Sequence, residues 1–197
     1  MSNVGHLHKV RVFQYSKNGM LSNRALHQRF IIFCLGSQVS SMTRGALAKL
    51  FAKRFSIHNR TAYGHVLIEL QECLIPYKIV EEEGIIPALR GPLILQEEGI
   101  PCYRLTNIGI LIYSCLEELS YEERKKILER YLAYENIPDI DELIIREQLL
   151  LHLAKYPEFT LELVKQGVSR FLDGHISHPF DIVPKHKRHL IRSSAPG

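Results

Sequence analysis

A chain of 197 residues, 46% hydrophobic and 23% charged, can bury one sizeable core and carry a helical extension. Those proportions exclude disordered and collagen-like chains, and the apolar run from Phe30 to Leu35 falls far short of the roughly 20 residues that a membrane-spanning helix needs. The net charge of +4 conceals a division: residues 1–60 hold ten Lys/Arg and no acid, residues 61–165 hold 19 acids against ten bases, and residues 166–197 hold five bases against two acids. Asymmetry of this kind points to a polyanionic partner for the basic part.

In chain order, residues 1–20 read as an N-terminal arm with a short alternating strand from Val10 to Tyr15 and a turn at Lys17-Asn18-Gly19. Ser22 is placed to cap a helix over 23–35, with Ala25, Leu26, Phe30, Phe33 and Cys34 as its apolar face and Gly36 as its stop. A second helix is expected over 43–55, its apolar side formed by Ala46, Leu47, Leu50, Phe51 and Phe55. Asn59 would cap a third helix over 60–74, ended by Pro76, with a short strand at 77–80 and a loop at 81–90. Residues 93–96 and 102–105 look like a hairpin, and Thr106 would cap a helix over 107–119. Beyond it, helices are expected at 121–134 (a Ser120…Glu123 capping box), 140–155 and 160–172, followed by a polar, His-rich tail from Gly174. The expected organisation is therefore an arm (1–20), an α+β domain (21–119), a helical extension (120–173) and a flexible, basic, His-rich tail (174–197).

The order helix, helix, turn, helix, hairpin, helix, together with Thr43-Arg-Gly-Ala-Leu-Ala-Lys-Leu-Phe, Asn59-Arg-Thr-Ala-Tyr-Gly-His-Val-Leu-Ile-Glu-Leu and Tyr103-Arg-Leu-Thr-Asn-Ile-Gly, resembles the winged helix-turn-helix domain of prokaryotic (archaeal or bacterial) transcriptional regulators. The resemblance covers about half the chain, 43–80 and 101–116. It implies a mainly α fold with a small β-hairpin wing. It also implies a third helix lying in the major groove of double-stranded DNA, with Arg60, Thr61, Tyr63 and His65 at base-facing positions. Gly64 would let a backbone come close. Arg44, Lys49, Lys53 and Arg54 on the second helix would grip phosphates, giving affinity and register rather than sequence readout. Regulators of this kind often dimerise through helices after the wing, and the apolar faces within 120–173 suit a homodimer.

The expected hairpin turn carries Glu97 and Glu98, which phosphate would repel. A second reading follows, a winged-helix interaction module in a larger nucleoprotein assembly. No nucleophile elbow, P-loop, dinucleotide fingerprint or zinc-protease motif occurs, so neither an enzyme nor a cofactor is expected. The pairs His175/His178 and His186/His189 lack partners at ligand spacing and read as a polar tail, not a metal site. Cys34, Cys73, Cys102 and Cys115 are widely spaced with no CxxC, which predicts buried, reduced thiols in a cytoplasmic protein.

Overall fold

The computed structural model describes residues 10–38, 40–88, 96, 98–133 and 140–183. It divides into two compact units, one spanning 8–113 and the other containing 114–197. The first unit runs α1 (Asn23–Gly36), β1 (Met42–Thr43), α2 (Arg44–Phe55), α3 (Asn59–Glu69, continued by the π-helical turn Leu70–Leu74), β2 (Val80–Ile86), β3 (Ile100–Leu105) and α4 (Asn107–Ser114). Its three strands form an antiparallel sheet in the order β1-β3-β2. This is a mainly α fold with a helix-turn-helix and a small β-hairpin wing.

Local chemistry explains most of the helix starts. The Ser22 and Thr43 side chains accept hydrogen bonds from the backbone N–H groups of Ala25 and Ala46, each at 3.2 Å. The helix-turn-helix bend is made at Ser56, which closes α2 in the left-handed region (φ 53°). His58, not Asn59, caps α3: its Nδ1 accepts from the Arg60 N–H at 3.2 Å, and Asn59 is the first helical residue.

The α1 face differs from the expected one. Ala25, Gln28, Arg29, Ile31, Ile32, Cys34 and Leu35 are buried, whereas Leu26 is exposed and Phe30 and Phe33 are half-buried. The polar members of the inner face are buried because they have partners. Gln28 donates to Glu69 at 2.7 Å and accepts from the Arg11 N–H at 2.7 Å. Gly36 is the last residue of α1 rather than a left-handed stop; a Cβ there would lie 2.5 Å from the Tyr113 ring, so glycine serves the close packing of α1 on α4.

The wing also differs. Its first strand is β2, formed by residues that read as a short strand and an acidic loop. Residues 93–95, expected to be that strand, lie outside the described set, and Gln96 and Glu98 are helical. Pairing runs from Val80 opposite Leu105 to Ile86 opposite Ile100, with a bulge between Glu82 and Gly84. The Glu81–Glu83 run tolerates strand geometry because β2 is an edge strand and Arg104 on β3 bonds both Glu81 (2.7 Å) and Glu83 (2.5 Å) across it. Residues 77 and 78 form a turn, not a strand, with Lys78 at φ 54°. Thr106 Oγ1 accepts from the Gly109 N–H at 3.1 Å and donates to the Lys78 and Ile79 carbonyls, tying α4 to that turn. A Cβ on Gly109 would sit 2.1 Å from the Ile79 carbonyl oxygen, so Gly109→Ala should cost about 1–3 kcal/mol, measurable as a lowered thermal midpoint by circular dichroism.

The second unit contains α5 (Tyr121–Leu132), α6 (Ile140–Lys155) and α7 (Pro157–Leu172), followed by a 3-10 turn, Pro179–Ile182. Ser120 and Glu123 form the expected capping box. The chain breaks between the two helices at Tyr156, and Pro157 stands in the first turn of α7, where its missing N–H costs nothing, so that helix starts before 160. Residues 175–183 are ordered against α7 rather than belonging to a free tail. Phe180 is buried, and His178 caps the 3-10 turn by accepting from the Phe180 N–H at 3.2 Å. Inside the unit, buried Arg146 donates to the Tyr131 carbonyl and hydroxyl, both at 2.9 Å, and pairs with Glu142. No helix among the described residues is long and apolar enough to cross a membrane.

Candidate nucleic-acid interface

The expected site residues fall into three groups. The first lies where the N-terminal end of α2 meets α3. The Arg44 guanidinium lies over the Tyr63 ring, 4.6 Å from its centroid, which fixes the outward pose of a tyrosine that is 39% exposed. Arg44 Nε is buried and has no hydrogen-bond partner among the described residues, leaving a cation with unmet donor capacity beside α3. Burial raises the pKa of the neighbouring Tyr103 hydroxyl, with a further push from Glu82, while Arg44 opposes them.

The second group is the outer surface of α3. Ala62, Val66 and Glu69 face inward. At 100° per residue that leaves Arg60, Thr61 and Gly64 on the opposite side; Arg60 and Thr61 are exposed, and a Cβ on Gly64 would meet nothing within 4 Å. On α2, Lys49 and Lys53 are exposed one turn apart, and Arg54 is exposed beside them. Among the described residues, Arg44, Lys49, Lys53, Arg54 and Arg60 form no ion pair with a carboxylate. Lys53 and Arg54 line a groove with α1, so they form a patch separate from the Arg44–Tyr63 contact.

His65 forms the third group and departs from its expected base-facing role. Its ring stacks on Phe51 (6.1 Å, 22°) and lies 5.2 Å from His27. It belongs to an aromatic cluster that joins α1, α2 and α3. The 3.6-residue period explains this: His65 follows Ala62 by three positions and shares its inner side of α3. Burial lowers the pKa of His27, the neighbouring His65 lowers it further, and Glu69 works against both. The unfolded chain therefore takes up this proton more readily than the folded one. The contribution is fully present above the unfolded value of 6.5 and is lost as pH falls from there through the folded pKa. Unfolding midpoints measured across about pH 7 to about pH 5 should fall, and His27→Phe should flatten that profile.

Not all of the N-terminal basic charge is displayed. Arg29 is buried, with its guanidinium 6.0 Å from the Phe13 ring centroid, and Arg24 pairs with buried Glu69 at 3.1 Å while also contacting Cys73. Glu69 thus pairs from inside the fold with a partly exposed cation and adds no negative charge to the outer face of α3. All four cysteines are free and buried, and burial raises the Cys34 and Cys73 thiols to about 11 and Cys115 to about 12. Comparison with protein-family models, curated proteins and solved structures finds no match for this chain.

Proposed function

We propose that this chain is a sequence-specific DNA-binding protein, a transcriptional regulator, that reads the major groove with α3. The observation that carries this reading is the set of Arg44, Lys49 and Arg60 across the helix-turn-helix, the last two exposed and none paired with a carboxylate among the described residues, within a stretch of 60 residues that contains no acid. Arg60 stands in the first turn of α3, where a guanidinium can reach the O6 and N7 of guanine. Thr61 stands beside it, and the open surface at Gly64 admits close approach of the duplex. Arg44 and Tyr63 would meet the phosphate backbone as one unit.

The acidic residues of the wing fit this reading better than their number implies, because Arg104 pairs with Glu81 and Glu83 and offsets one of their two charges. The second unit would supply a homodimer contact. Leu151, Tyr156 and Phe159, respectively 74%, 50% and 61% exposed near the α6–α7 junction, are apolar surface suited to it. Buried, protonated thiols suit a cytoplasmic protein.

The test is selection from a random duplex pool followed by fluorescence anisotropy on the enriched site. Arg60→Ala should cost about 1–3 kcal/mol on that site and relax preference at one base pair. A uniform loss across all sequences would instead make Arg60 a phosphate contact. Failure to enrich any duplex would overturn the reading.

A further inference from the structure

The outer face of α1 carries an apolar stripe that the fold only partly buries: Leu26 is exposed and Phe30 and Phe33 are half-buried. Leu26, Phe30 and Phe33 recur at i, i+4 and i+7, the spacing of a helix face. The inner face is instead made by residues such as Gln28, Arg29 and Ile32. The stripe leads into a groove of about 470 Å³ between α1 and α2, lined by Phe30, Phe33, Cys34 and Leu50 and, at its rim, by Lys53 and Arg54. Leu50, like Leu26, is more than a third exposed.

Three features select the occupant. At 1.5 Å per residue the α1 side of the groove, Phe30 to Ser37, is about 10 Å long, two turns of a helix laid along it. The groove is open to solvent, unlike the enclosing cavities that take small ligands, and its mostly apolar lining suits the hydrophobic face of a peptide helix. The rim is cationic, Lys49 lies one turn from Lys53, and residues 1–60 contain no carboxylate to satisfy them. A phosphate backbone matches the rim but presents nothing apolar to Phe30, Phe33 and Leu50. A helix with carboxylates flanking an apolar stripe matches both.

We propose that the α1–α2 groove is a docking site for an acidic amphipathic helix of a partner protein, on a surface separate from the Arg44–Tyr63 contact. The proposal does not depend on the DNA-binding reading.

The probe is a fluorescein-labelled peptide of about 18 residues, with leucines at helical spacing and glutamates on both flanks, titrated into the full chain by anisotropy. Saturable binding is expected, with a scrambled peptide of equal composition binding at least about tenfold more weakly. The double variant Lys53→Glu/Arg54→Glu and the single variant Leu50→Glu should each weaken binding by about tenfold or more. All three positions are exposed, so the fold should survive; unchanged circular dichroism confirms it. A lysine-flanked version of the peptide should regain binding to the double variant. Equal binding of the scrambled peptide, indifference to the substitutions, or no binding at all would overturn the proposal. So would displacement of the peptide by an equimolar single-stranded oligonucleotide, which would assign the aromatic groove to bases. Self-association abolished by the double variant would assign the groove to a second copy.

Discussion

Phe51→Ala should be the most damaging single truncation in the helix-turn-helix, at about 3–5 kcal/mol. Phe51 is fully buried, and its ring lies 4.8 Å from His27, 5.8 Å from Phe30, 4.4 Å from Phe55 and 6.1 Å from His65, so three helices lose packing at once. The cavity would open among rings held by several elements, which limits how far the site can collapse. Phe51→Leu keeps most of the volume and should cost only about 1–1.5 kcal/mol. With no Trp in the chain, the measurement is urea unfolding followed by far-UV circular dichroism. A loss below about 1 kcal/mol for the alanine variant would mean that the aromatic cluster does not hold α3 in place. The same cluster contains His65, so damage to it should loosen the helix proposed to read DNA. The alanine variant should therefore bind duplex DNA more weakly although Phe51 cannot touch a base.

Local signals were the most legible part of this fold. The Ser22 and Ser120 caps are short-range hydrogen bonds between a hydroxyl and a nearby N–H, and such bonds can be read from a few residues of sequence. The inward positions Leu47, Phe51, Ala62 and Val66 follow from helical spacing alone. What failed was tertiary. Gln28 and Arg29 look like the outer face of α1, and only distant partners make their burial tolerable: Glu69 for Gln28, and the Phe13 ring beside the Arg29 guanidinium. The three consecutive glutamates of β2 lack the alternation of a half-buried strand, because the strand lies at the sheet edge and its cross-strand cation is Arg104, more than 20 residues away. His58 went unrecognised as a cap because imidazole nitrogen is an uncommon acceptor there. Of the candidate site, Arg60, Thr61, Lys49, Lys53 and Arg54 were legible as exposed positions. The Arg44–Tyr63 contact and the inward turn of His65 were not, since both depend on how α3 packs against its neighbours.

Salt should weaken duplex binding steeply, and the slope reports how many of these cations reach phosphate. With Arg44 and Lys49 each neutralising one phosphate, and Arg60 given to a base, the logarithm of the binding constant should fall with the logarithm of salt at a slope of about −1.8 for one chain and about −3.6 for a dimer. Between about 50 and 200 mM salt that is a loss of about 12-fold or about 150-fold respectively. A slope shallower than about −1 would mean that the displayed cations do not engage the DNA backbone, and the DNA-binding reading would fall with it. Substituting Lys49 by Ala should reduce the magnitude of the slope by about 0.9 per bound chain without altering sequence preference, because a phosphate contact carries no base information. Arg44→Ala should change the slope by the same amount but weaken binding at fixed salt by more than Lys49→Ala. Arg44 also holds the Tyr63 ring, so its removal frees a second, uncharged group at the backbone, whereas Lys49 stands alone on the exposed side of α2. Equal affinities of the two variants at fixed salt would show that the Arg44–Tyr63 contact plays no part in seating α3.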